Sequence, residues 1–394
     1  MRRTPKEELD NRVKNLQGRM ASDGIDCVLI VQNADLLYFA GTVHKSFLFI
    51  PSAGKPLLLV RKNFERARDE SFIDDMVFIN DIRQLPIVLR DHGHESSGKL
   101  GMELDVLPVN QYRRFQKLFN PGEVVDISPA VQAIRSIKSP YEVEMMEEAA
   151  ALVDFMAGVA RSSLKAGMTE VELAGKVEAA ARERGHQGYV RMRSFNQEIY
   201  WGYLVSGPDS AEPSFIDTTT GGRGVGVAFP SGAGLRTIGP NEPVIFDLVG
   251  VVDGYNSDET RTLCVGPLPG RLMEAYRVAL EILQSLGDMA GPGVAAERLF
   301  LEAQQIADRC GLAEHFMGYG KQKPVFCGHG IGLELDELPI LTRRNTEPLL
   351  PGMVFTVEPK FVFPGLGAVG VEDDFVVTET DVRKLTASTY EVEV

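Results

Sequence analysis

Hydrophobic positions in the first third of the chain alternate between helical and strand-like spacing. Leu9, Val13, Leu16 and Met20 recur every three or four residues, which predicts an amphipathic helix. The preceding segment TPKE has the form of a capping box, with proline at the first helical position. Short apolar runs predict buried strands at 27–31, 47–50, 57–60, 76–79, 100–104 and 124–127. We therefore expect an α/β domain over residues 1–132.

The rest of the chain begins with helix signals and ends with strand signals. Two capping boxes, SPYE from Ser139 and TEVE from Thr169, predict helices to about Ser163 and about Arg184. A glycine-rich stretch at 219–234 and an apolar strand at 244–252 follow. Two further helices are predicted at about 269–290 and 294–310, before a strand-rich end. This order predicts an α+β domain over residues 133–394, with helices covering a mostly antiparallel sheet.

Composition narrows the class of protein. A length of 394 residues suits two domains. The net charge of −14 argues against nucleic acid as a main partner, because phosphate backbones need clustered lysine and arginine. The four cysteines form no CxxC pair, so we expect neither a disulfide framework nor a zinc knuckle. Without a signal peptide or an apolar run of about 18 residues, a soluble, cytoplasmic protein without membrane partners is expected.

Two acidic residues flank a strong hairpin signal in the segment VIFDLVGVVDGYNSDETRTL. Asp253-Gly254 lies between two apolar runs and predicts a tight turn. In a hairpin folded there, residues whose numbers sum to about 505–507 face each other, and Asp247 with Asp258 fits that sum. We therefore expect these two carboxylates to be cross-strand neighbours on one face.

A second acidic pair occurs near the end of the chain, in FTVEPKFVFPGLGAVGVEDDF. Glu358 and Glu372 are symmetric about Gly365, which follows Pro364 in a turn-forming pair. Carboxylates that face each other destabilise a sheet and are costly to bury unless a cation neutralises them. No lysine or arginine in these strands is an obvious counterion, and Arg261 is expected on the opposite face from Asp258. A metal site is therefore the better interpretation.

A nitrogen ligand is available in the segment CGHGIG, where glycines let the backbone and an ion approach His329 closely. Four carboxylates would be balanced by two divalent cations. Each piece has a simpler interpretation on its own, since an acidic pair at a turn is usually solvated and a histidine beside glycines is usually structural. Their combination, in a chain with six histidines, favours a shared metal site.

At these residues the sequence resembles the pita-bread metallohydrolases, which include aminopeptidase P, prolidase, methionine aminopeptidase and creatinase. The matching stretches, in family order, are FDLVGVVDGYNSDETRT, GHGIGLELDELP, TVEP and GVEDDF. AIRSIKSPYEVEMMEEAA resembles the entry to the catalytic domain, and RVKNLQGRMASDGIDCVLIVQNADLLYFAG resembles the creatinase/prolidase N-terminal domain. The branch with which the likeness is strongest is the Xaa-Pro aminopeptidase and dipeptidase branch.

The resemblance implies a ligand set and a mechanism. Its five metal ligands fall on Asp247, Asp258, His329, Glu358 and Glu372, with Asp258 and Glu372 bridging two ions. Mn, Co, Fe or Zn would suit these ligands. The ions would activate a bridging water, and Glu358 would act as its proton shuttle. The family also implies a homodimer.

The sequence departs from the family pattern around the predicted ligands. Where its peptidases have histidine in an HExP stretch, this chain has Asp336. A second histidine, in a Pro-His step before the first ligand, is also absent, and Ser231 or Ser214 is the candidate for its place. An arginine often found just before the last ligand appears as Gly370 or Val371. Asp336 is retained as a candidate catalytic residue.

Other groups could compensate for the missing histidines. Arg191, Arg193 and Tyr200 are candidate donors, although exposed strand positions for the arginines and packing beneath the pocket for the tyrosine are the simpler interpretations. The segment FIDTTTGGRGVGVAF is an apparent insertion that could line or gate the pocket.

Three functions remain open at this stage. The first is a dinuclear Xaa-Pro aminopeptidase or dipeptidase. The second is a metal-dependent enzyme on a small non-peptide molecule, by carbon–nitrogen hydrolysis or as a lyase. The third is a non-catalytic interaction module, which would have little reason to keep five ligands.

Overall fold

The computed structural model describes residues 2–94, 98–321 and 323–394. It divides into two compact units. The first contains the chain up to Arg135 together with Arg193–Phe195, and the second contains Ser136–Met192 and Asn196–Val394. The sequence predicts a domain boundary after residue 132, and the structure divides three residues later, after Arg135. No helix in the described part of the chain is long and apolar enough to cross a membrane.

The first unit is built on a mixed six-stranded sheet with the strand order β4-β3-β2-β1-β5-β6. Strands β1, β5 and β6 are mutually parallel, as are β3 and β4, while β2 is antiparallel to both of its neighbours. The strands are β1 (Cys27–Ile30), β2 (Ser46–Pro51), β3 (Leu57–Val60), β4 (Asp75–Phe78), β5 (Lys99–Met102) and β6 (Glu123–Asp126). Each predicted strand is present, within about two residues at its ends.

Helices connect these strands, which confirms the α/β class of the first unit. They are α1 (Lys6–Asp23), α2 (Asn33–Ala40), α3 (Phe64–Glu70), α4 (Leu85–Asp91), α5 (Val109–Phe119) and α6 (Ser128–Ser136), with a 3-10 turn at Ile82–Gln84. Helix α1 buries Leu9, Val13, Leu16 and Met20, as its periodicity predicts. The expected capping box is wrong, because Pro5 is itself the N-cap residue and no side chain caps the helix.

The second unit contains three antiparallel sheets. Their strand orders are β7-β8-β9, β11-β10-β12-β15-β16 and β13-β14. The strands are β7 (Gly202–Ser206), β8 (Val244–Val252), β9 (Tyr255–Leu263), β10 (Phe326–Gly330), β11 (Glu337–Thr342), β12 (Val354–Val357), β13 (Lys360–Phe363), β14 (Gly367–Gly370), β15 (Asp373–Val377) and β16 (Val382–Lys384).

Four long helices cover these sheets in two pairs. They are α7 (Pro140–Ser163), α8 (Glu170–Glu183), α9 (Gly270–Met289) and α10 (Ala296–Arg309). Helices α7 and α8 share one apolar core with β8, and α9 and α10 share another with β12 to β15. Both predicted capping boxes are present, with Glu142 N–H donating to Ser139 at 3.3 Å and Glu172 N–H donating to Thr169 at 3.3 Å. The predicted α+β pita-bread architecture is confirmed.

Glycine sets how closely the first helix pair can approach the sheet. A Cβ at Gly250 of β8 would lie 2.4 Å from the Ala149 carbonyl oxygen of α7. This contact brings the backbone of α7 against the strand that carries Asp247. The helix therefore supports the strand on the face away from that carboxylate, since 247 and 250 differ by an odd number.

A buried ion cluster holds part of the first unit together. Asp35, fully buried in α2, accepts from Arg135 at 2.6 Å and from Arg193 at 3.0 Å. Arg193 also donates to Asp105 at 2.6 Å. The Arg193–Phe195 segment belongs to the first unit by these contacts, although it lies far along the chain. Sequence periodicity carries no signal for such a long-range pairing.

We predict that Asp35→Ala lowers the free energy of unfolding by about 3–5 kcal/mol, because it leaves a buried arginine without its carboxylate. Urea unfolding followed by circular dichroism measures this loss. Arg83→Ala is the control, since the ion pair of Arg83 with Asp81 is exposed to solvent and should leave the midpoint unchanged. Equal midpoints for Asp35→Ala and the wild type would contradict the prediction.

Candidate metal centre

The first acidic hairpin forms at the predicted turn. Asp253 and Gly254 have φ angles of 48° and 88°, the left-handed values that a two-residue hairpin turn requires. In the β8–β9 ladder Asp247 is opposite Thr260, and Asp258 is opposite Val249. Asp247 and Asp258 therefore lie on one face, as predicted, but as diagonal neighbours rather than as a directly opposed pair.

The second acidic hairpin has the predicted symmetry. Strands β13 and β14 pair from Lys360 opposite Gly370 to Phe363 opposite Gly367, around a turn in which Gly365 has a φ of 79°. The β12–β15 ladder continues the same register, with Val357 opposite Asp373. Glu358 and Glu372 lie in the gap between the two ladders. Their side chains are buried there, with 4% and 1% exposure.

His329 enters the site on β10, between two glycines that allow close backbone packing. A Cβ at Gly328 would lie 2.0 Å from the Thr356 carbonyl oxygen, and one at Gly330 would lie 2.1 Å from the Leu338 carbonyl oxygen. The Nδ1 atom of His329 is 3.0 Å from the Gly330 carbonyl oxygen. The Nε2 atom therefore faces the carboxylates, 3.8 Å from Glu358 Oε1.

Three of the five predicted ligands converge on one point. Asp258, His329 and Glu372 are buried and offer ligand atoms that lie within 4.8 Å of one another. Asp258 Oδ1 and Glu372 Oε1 are buried without a hydrogen-bond partner among the residues that the structure describes. An unsatisfied buried carboxylate oxygen costs about 1–3 kcal/mol or more, so these atoms call for a cation. Their number and chemistry fit one divalent ion.

The expectation that no lysine or arginine neutralises the carboxylates is wrong. Lys360 is buried at the centre of the site, with Nζ 2.7 Å from Asp247 Oδ2, 2.7 Å from Glu358 Oε2 and 3.3 Å from Glu372 Oε2. A strand has a side-chain period of two, so Lys360 shares a face with Glu358. The two-residue spacing of Glu358 and Lys360 could have predicted this shared face. The intervening Pro359 interrupts the strand pattern and obscured that spacing. Arg261 was placed correctly on the other face, where it donates to Asp373 at 2.8 Å.

Burial and mutual repulsion shift the protonation equilibria of this cluster. Burial, together with the charges of Glu372 and Asp247, raises the pKa of Asp258 well above its ordinary value. Burial, opposed by Lys360, raises the pKa of Glu372 to about 7. For Lys360, burial alone would lower the pKa, but Asp247, Glu358 and Glu372 outweigh burial and the pKa lies well above its ordinary value. The cluster is thus an anionic site that favours bound cations.

The same carboxylates also change the pKa of His329. Burial alone would lower its pKa, but Asp336 first, and then Glu358 and Glu372, raise that pKa to about 9. Asp336 Oδ1 lies 3.5 Å from His329 Nδ1 and its side chain is 43% exposed. Asp336 therefore faces the ring nitrogen away from the carboxylate cluster and can orient the imidazole.

A second layer of hydrogen bonds fixes the carboxylates. Thr260 Oγ1 donates to Glu372 Oε2 at 2.8 Å, and Arg261 donates to the Glu372 carbonyl oxygen at 2.7 Å. Asp374 accepts from Ser257 Oγ at 2.6 Å and from the Asp258 backbone N–H at 3.1 Å. Burial raises the pKa of Asp374 to about 8. These contacts fix the strands that carry Asp258 and Glu372, and among the described residues they leave Asp258 Oδ1 and Glu372 Oε1 without a hydrogen bond.

An open pocket leads to the cluster, with a volume of about 40 Å³. Polar and apolar residues of the second unit line it, among them Ile216, Asp217 and Thr218 of the apparent insertion, which confirms that this segment lines the pocket. Ser231 is also in the lining, whereas Ser214 caps the backbone N–H of Ile216 at 3.1 Å.

The candidate donors have other partners. The guanidinium of Arg193 is held by Asp35 and Asp105 in the first unit, so its assignment to the pocket is wrong. The guanidinium of Arg191 lies over the ring of Tyr189 at 5.4 Å. The hydroxyl of Tyr200 is hydrogen-bonded to Glu178, and burial first, then the Glu178 carboxylate, raises the pKa of Tyr200.

Tyr203 was missed by sequence reasoning. It is buried on β7, directly opposite Asp247 in the β7–β8 ladder, and lines the pocket. Burial and the Asp247 carboxylate raise the pKa of Tyr203 well above its ordinary value. Only the cross-strand register, which the sequence does not reveal for β7, places this hydroxyl beside the site.

This fold and buried site define a two-domain metallohydrolase of the pita-bread class. Residues 144–379 match the sequence model of Metallopeptidase family M24, and residues 12–137 match that of the Creatinase/Prolidase N-terminal domain. The first match spans more than half of the chain, so the chain belongs to metallopeptidase family M24.

Known proteins resemble the chain over nearly its whole length. A Xaa-Pro dipeptidase of Pyrococcus horikoshii is 28% identical over 389 residues, covering 98% of this chain and 99% of the relative. The crystal structure of the prolidase from Pyrococcus horikoshii OT3 superposes with a TM-score of 0.82 at 27% identity, covering 97% of this chain and 99% of that one. A Xaa-Pro dipeptidase from Bacillus anthracis, at 24% identity, shares the fold with a TM-score of 0.83 over 98% and 100% of the two chains.

We predict that Gly370→Ala lowers the free energy of unfolding by about 1–3 kcal/mol, because the new methyl group overpacks the site. A Cβ there would lie 2.5 Å from Lys360 Cγ and 2.9 Å from the Pro359 carbonyl oxygen. Thermal unfolding measures the change. Gly270→Ala is the matched control, since its Cβ would meet nothing within 4 Å. Similar melting temperatures for the two variants would contradict the prediction.

Proposed function

We propose that this chain is a metal-dependent hydrolase that cleaves Xaa-Pro dipeptides or the N-terminal Xaa-Pro bond of short peptides. The observation that carries the proposal is the convergence of Asp258, His329 and Glu372 beneath an open pocket. Its support from comparison is the full-length similarity to proteins named Xaa-Pro dipeptidase and prolidase.

The residues present would hold a divalent cation at Asp258, His329 and Glu372, with Asp247 and Glu358 completing the predicted set. When bound, such an ion lowers the pKa of a coordinated water and polarises the scissile carbonyl. Mn, Co, Zn and Fe(II) all suit this mixture of oxygen and nitrogen ligands. The prediction of two ions stays a prediction, and the position of Lys360 bears on it directly.

Glu358 is the proposed proton shuttle. Its carboxylate spans the site, with Oε1 3.8 Å from His329 Nε2 and Oε2 2.7 Å from Lys360 Nζ. A carboxylate at this position can take a proton from the attacking water and return it to the leaving amine. Lys360 Nζ donates to Glu358 Oε2 at 2.7 Å and so orients this carboxylate.

A non-peptide substrate is the second candidate, and a specific observation favours it. Among the described residues that line the pocket, His329 is the one histidine, and Asp336 occupies the place in DELP where peptidases of the family are expected to have another. An ionised aspartate cannot donate to the developing oxyanion. A small molecule cleaved by elimination, or at a carbon–nitrogen bond whose carbon carries no carbonyl oxygen, would develop no oxyanion and would not need that donor. A non-catalytic interaction module is less well supported, because the buried carboxylates and His329 remain together.

We also propose, from the resemblance to the family, that the chain forms a homodimer. Val225 and Val227 of the glycine-rich stretch are 68% and 97% exposed, and a partner subunit could cover them.

We predict that Glu358→Gln reduces hydrolysis of Xaa-Pro dipeptides by about 10²–10⁴-fold, the usual contribution of a positioned acid–base group. Steady-state rates on Ala-Pro, Leu-Pro and a longer Xaa-Pro peptide measure the effect with Mn²⁺-loaded protein. Glu183→Gln, on the exposed end of α8, is the control and should keep the wild-type rate.

The same panel separates the candidate functions. Turnover of the dipeptides by the wild type supports the proposed function. No turnover by fully loaded wild-type protein would contradict it and favour a non-peptide substrate. Equal rates for Glu358→Gln and the wild type would show that the shuttle is another group.

We predict that Asp336→His increases Xaa-Pro dipeptide hydrolysis, because a histidine at this edge of the pocket can donate to the oxyanion. The measurement is kcat on Leu-Pro, with an expected gain of about tenfold, which is less than the roughly 10²–10³-fold contribution of a donor in an evolved oxyanion hole. Asp217→His places a histidine elsewhere in the same pocket lining and should give no gain. An unchanged or lower kcat for Asp336→His would show that Asp336 does not limit peptidase activity.

A further inference from the structure

We propose that the ammonium group of Lys360 takes the place of one of the two expected metal ions, so that the centre binds a single divalent cation at Asp258, His329 and Glu372. This inference rests on the proposed function for the catalytic role of the site, but its test counts metal ions and does not depend on the substrate.

The position of Nζ leaves no room for a second ion beside Asp247. Nζ donates to Glu358 Oε2 at 2.7 Å and to Glu372 Oε2 at 3.3 Å, and it forms an ion pair with Asp247 Oδ2 at 2.7 Å. Three carboxylate oxygens therefore surround the ammonium group. A zinc-sized ion bound through the same oxygens would lie about 2.0–2.2 Å from each, in the volume that Nζ fills.

The remaining ligand atoms form a separate and incomplete set. Of the expected ligands, Asp258 and Glu372 each have a buried oxygen, Oδ1 and Oε1, without a hydrogen-bond partner in the described part of the chain. These two residues converge with His329, which would supply the nitrogen ligand. Glu372 therefore links the two positions, offering Oε2 to the ammonium and Oε1 to an ion. The atoms that need a cation are those that Lys360 does not reach.

Lys360 is built into the sheet and is not a surface side chain folded inward. It is 1% exposed, and its Cα pairs with Gly370 across the β13–β14 ladder. The absence of a side chain at Gly370 makes room for the lysine stem, since a Cβ there would lie 2.5 Å from Lys360 Cγ. Tyr203 is buried beside Asp247 on the other side. Gly370 thus provides the space in which the Lys360 side chain, and with it a positive charge, is buried at the site.

Charge does not demand a second ion. Asp247, Asp258, Glu358 and Glu372 carry four formal negative charges when ionised. Lys360 with one divalent ion supplies three positive charges, while Lys360 with two divalent ions would supply five. The two arrangements are equally far from neutrality, so the space taken by the ammonium decides between them.

The experiment is a metal count on the whole protein. Metal-free protein is incubated with excess Mn²⁺, freed of unbound ion, and assayed by mass spectrometry of the metal and by electron paramagnetic resonance. We expect about one equivalent in the wild type, with the signal of an isolated Mn²⁺ ion. Lys360→Ala opens the volume and should bind about two equivalents with a magnetically coupled signal. Lys360→Met refills the volume without charge and should stay at one.

Matched variants identify which residues hold the ion. Asp247→Asn should keep one equivalent with a Kd within threefold of the wild-type value, because Asp247 contacts Lys360 in this arrangement. His329→Ala should weaken Mn²⁺ binding at least tenfold. Lys176→Ala, an exposed lysine on α8, is the control for a lost positive charge and should match the wild type.

Two outcomes overturn the proposal. One is two Mn²⁺ equivalents, or none, in the wild type; the other is the loss of an equivalent in Asp247→Asn. If Lys360→Ala does not fold, the wild type, Lys360→Met and Asp247→Asn still decide. Failure of the proposed function is distinguishable, since a protein with one equivalent that does not hydrolyse Xaa-Pro peptides contradicts the substrate and leaves the metal count intact.

Discussion

Four carboxylates face one small buried volume, and their mutual repulsion is the constraint around which the second unit is arranged. Two hairpins deliver them, β8–β9 with Asp247 and Asp258, and β12–β15 with Glu358 and Glu372. Burial without counterions would cost several kcal/mol for each charge. Lys360 neutralises part of this charge, and the ion that we propose beside His329 would neutralise most of the rest. In that proposal, the affinity for metal comes from the carboxylate charge that the chain's own cation leaves unbalanced.

The surrounding structure fixes the positions of these carboxylates. Helix α7 packs against β8 at Gly250. Thr260 donates to the Glu372 side chain, and Arg261 donates to the Glu372 carbonyl oxygen from the opposite face of β9. A ligand set positioned by strands and fixed by a second layer of hydrogen bonds loses little entropy when an ion binds. The variable parts of the site lie instead at the pocket edge, where Asp336 and the 215–229 insertion contribute. In the proposed function, the residues at the pocket edge would select the substrate and the buried residues would bind the metal.

Much of this arrangement could be predicted from local sequence. The Asp253-Gly254 and Pro364-Gly365 turns fixed two registers, and those registers placed the carboxylates correctly, with Asp247 and Asp258 diagonal instead of opposed. Lys360 was missed because a lysine is seldom fully buried and Pro359 interrupts the strand pattern. The pairing of Arg193 with Asp35 was missed for a different reason, since it joins positions far apart in the chain and no periodicity reports it. Contacts set by turns were predictable, and contacts set by the packing of distant segments were not.

The close packing of Gly370 against Lys360 also makes the two positions mutually dependent. A Cβ at position 370 would lie 2.5 Å from Lys360 Cγ and 2.9 Å from the Pro359 carbonyl oxygen, so a side chain there would displace the lysine stem. Displacing the stem would in turn move the ammonium group away from Asp247 and Glu358. The effects of substitutions at positions 360 and 370 on stability are therefore expected to be non-additive.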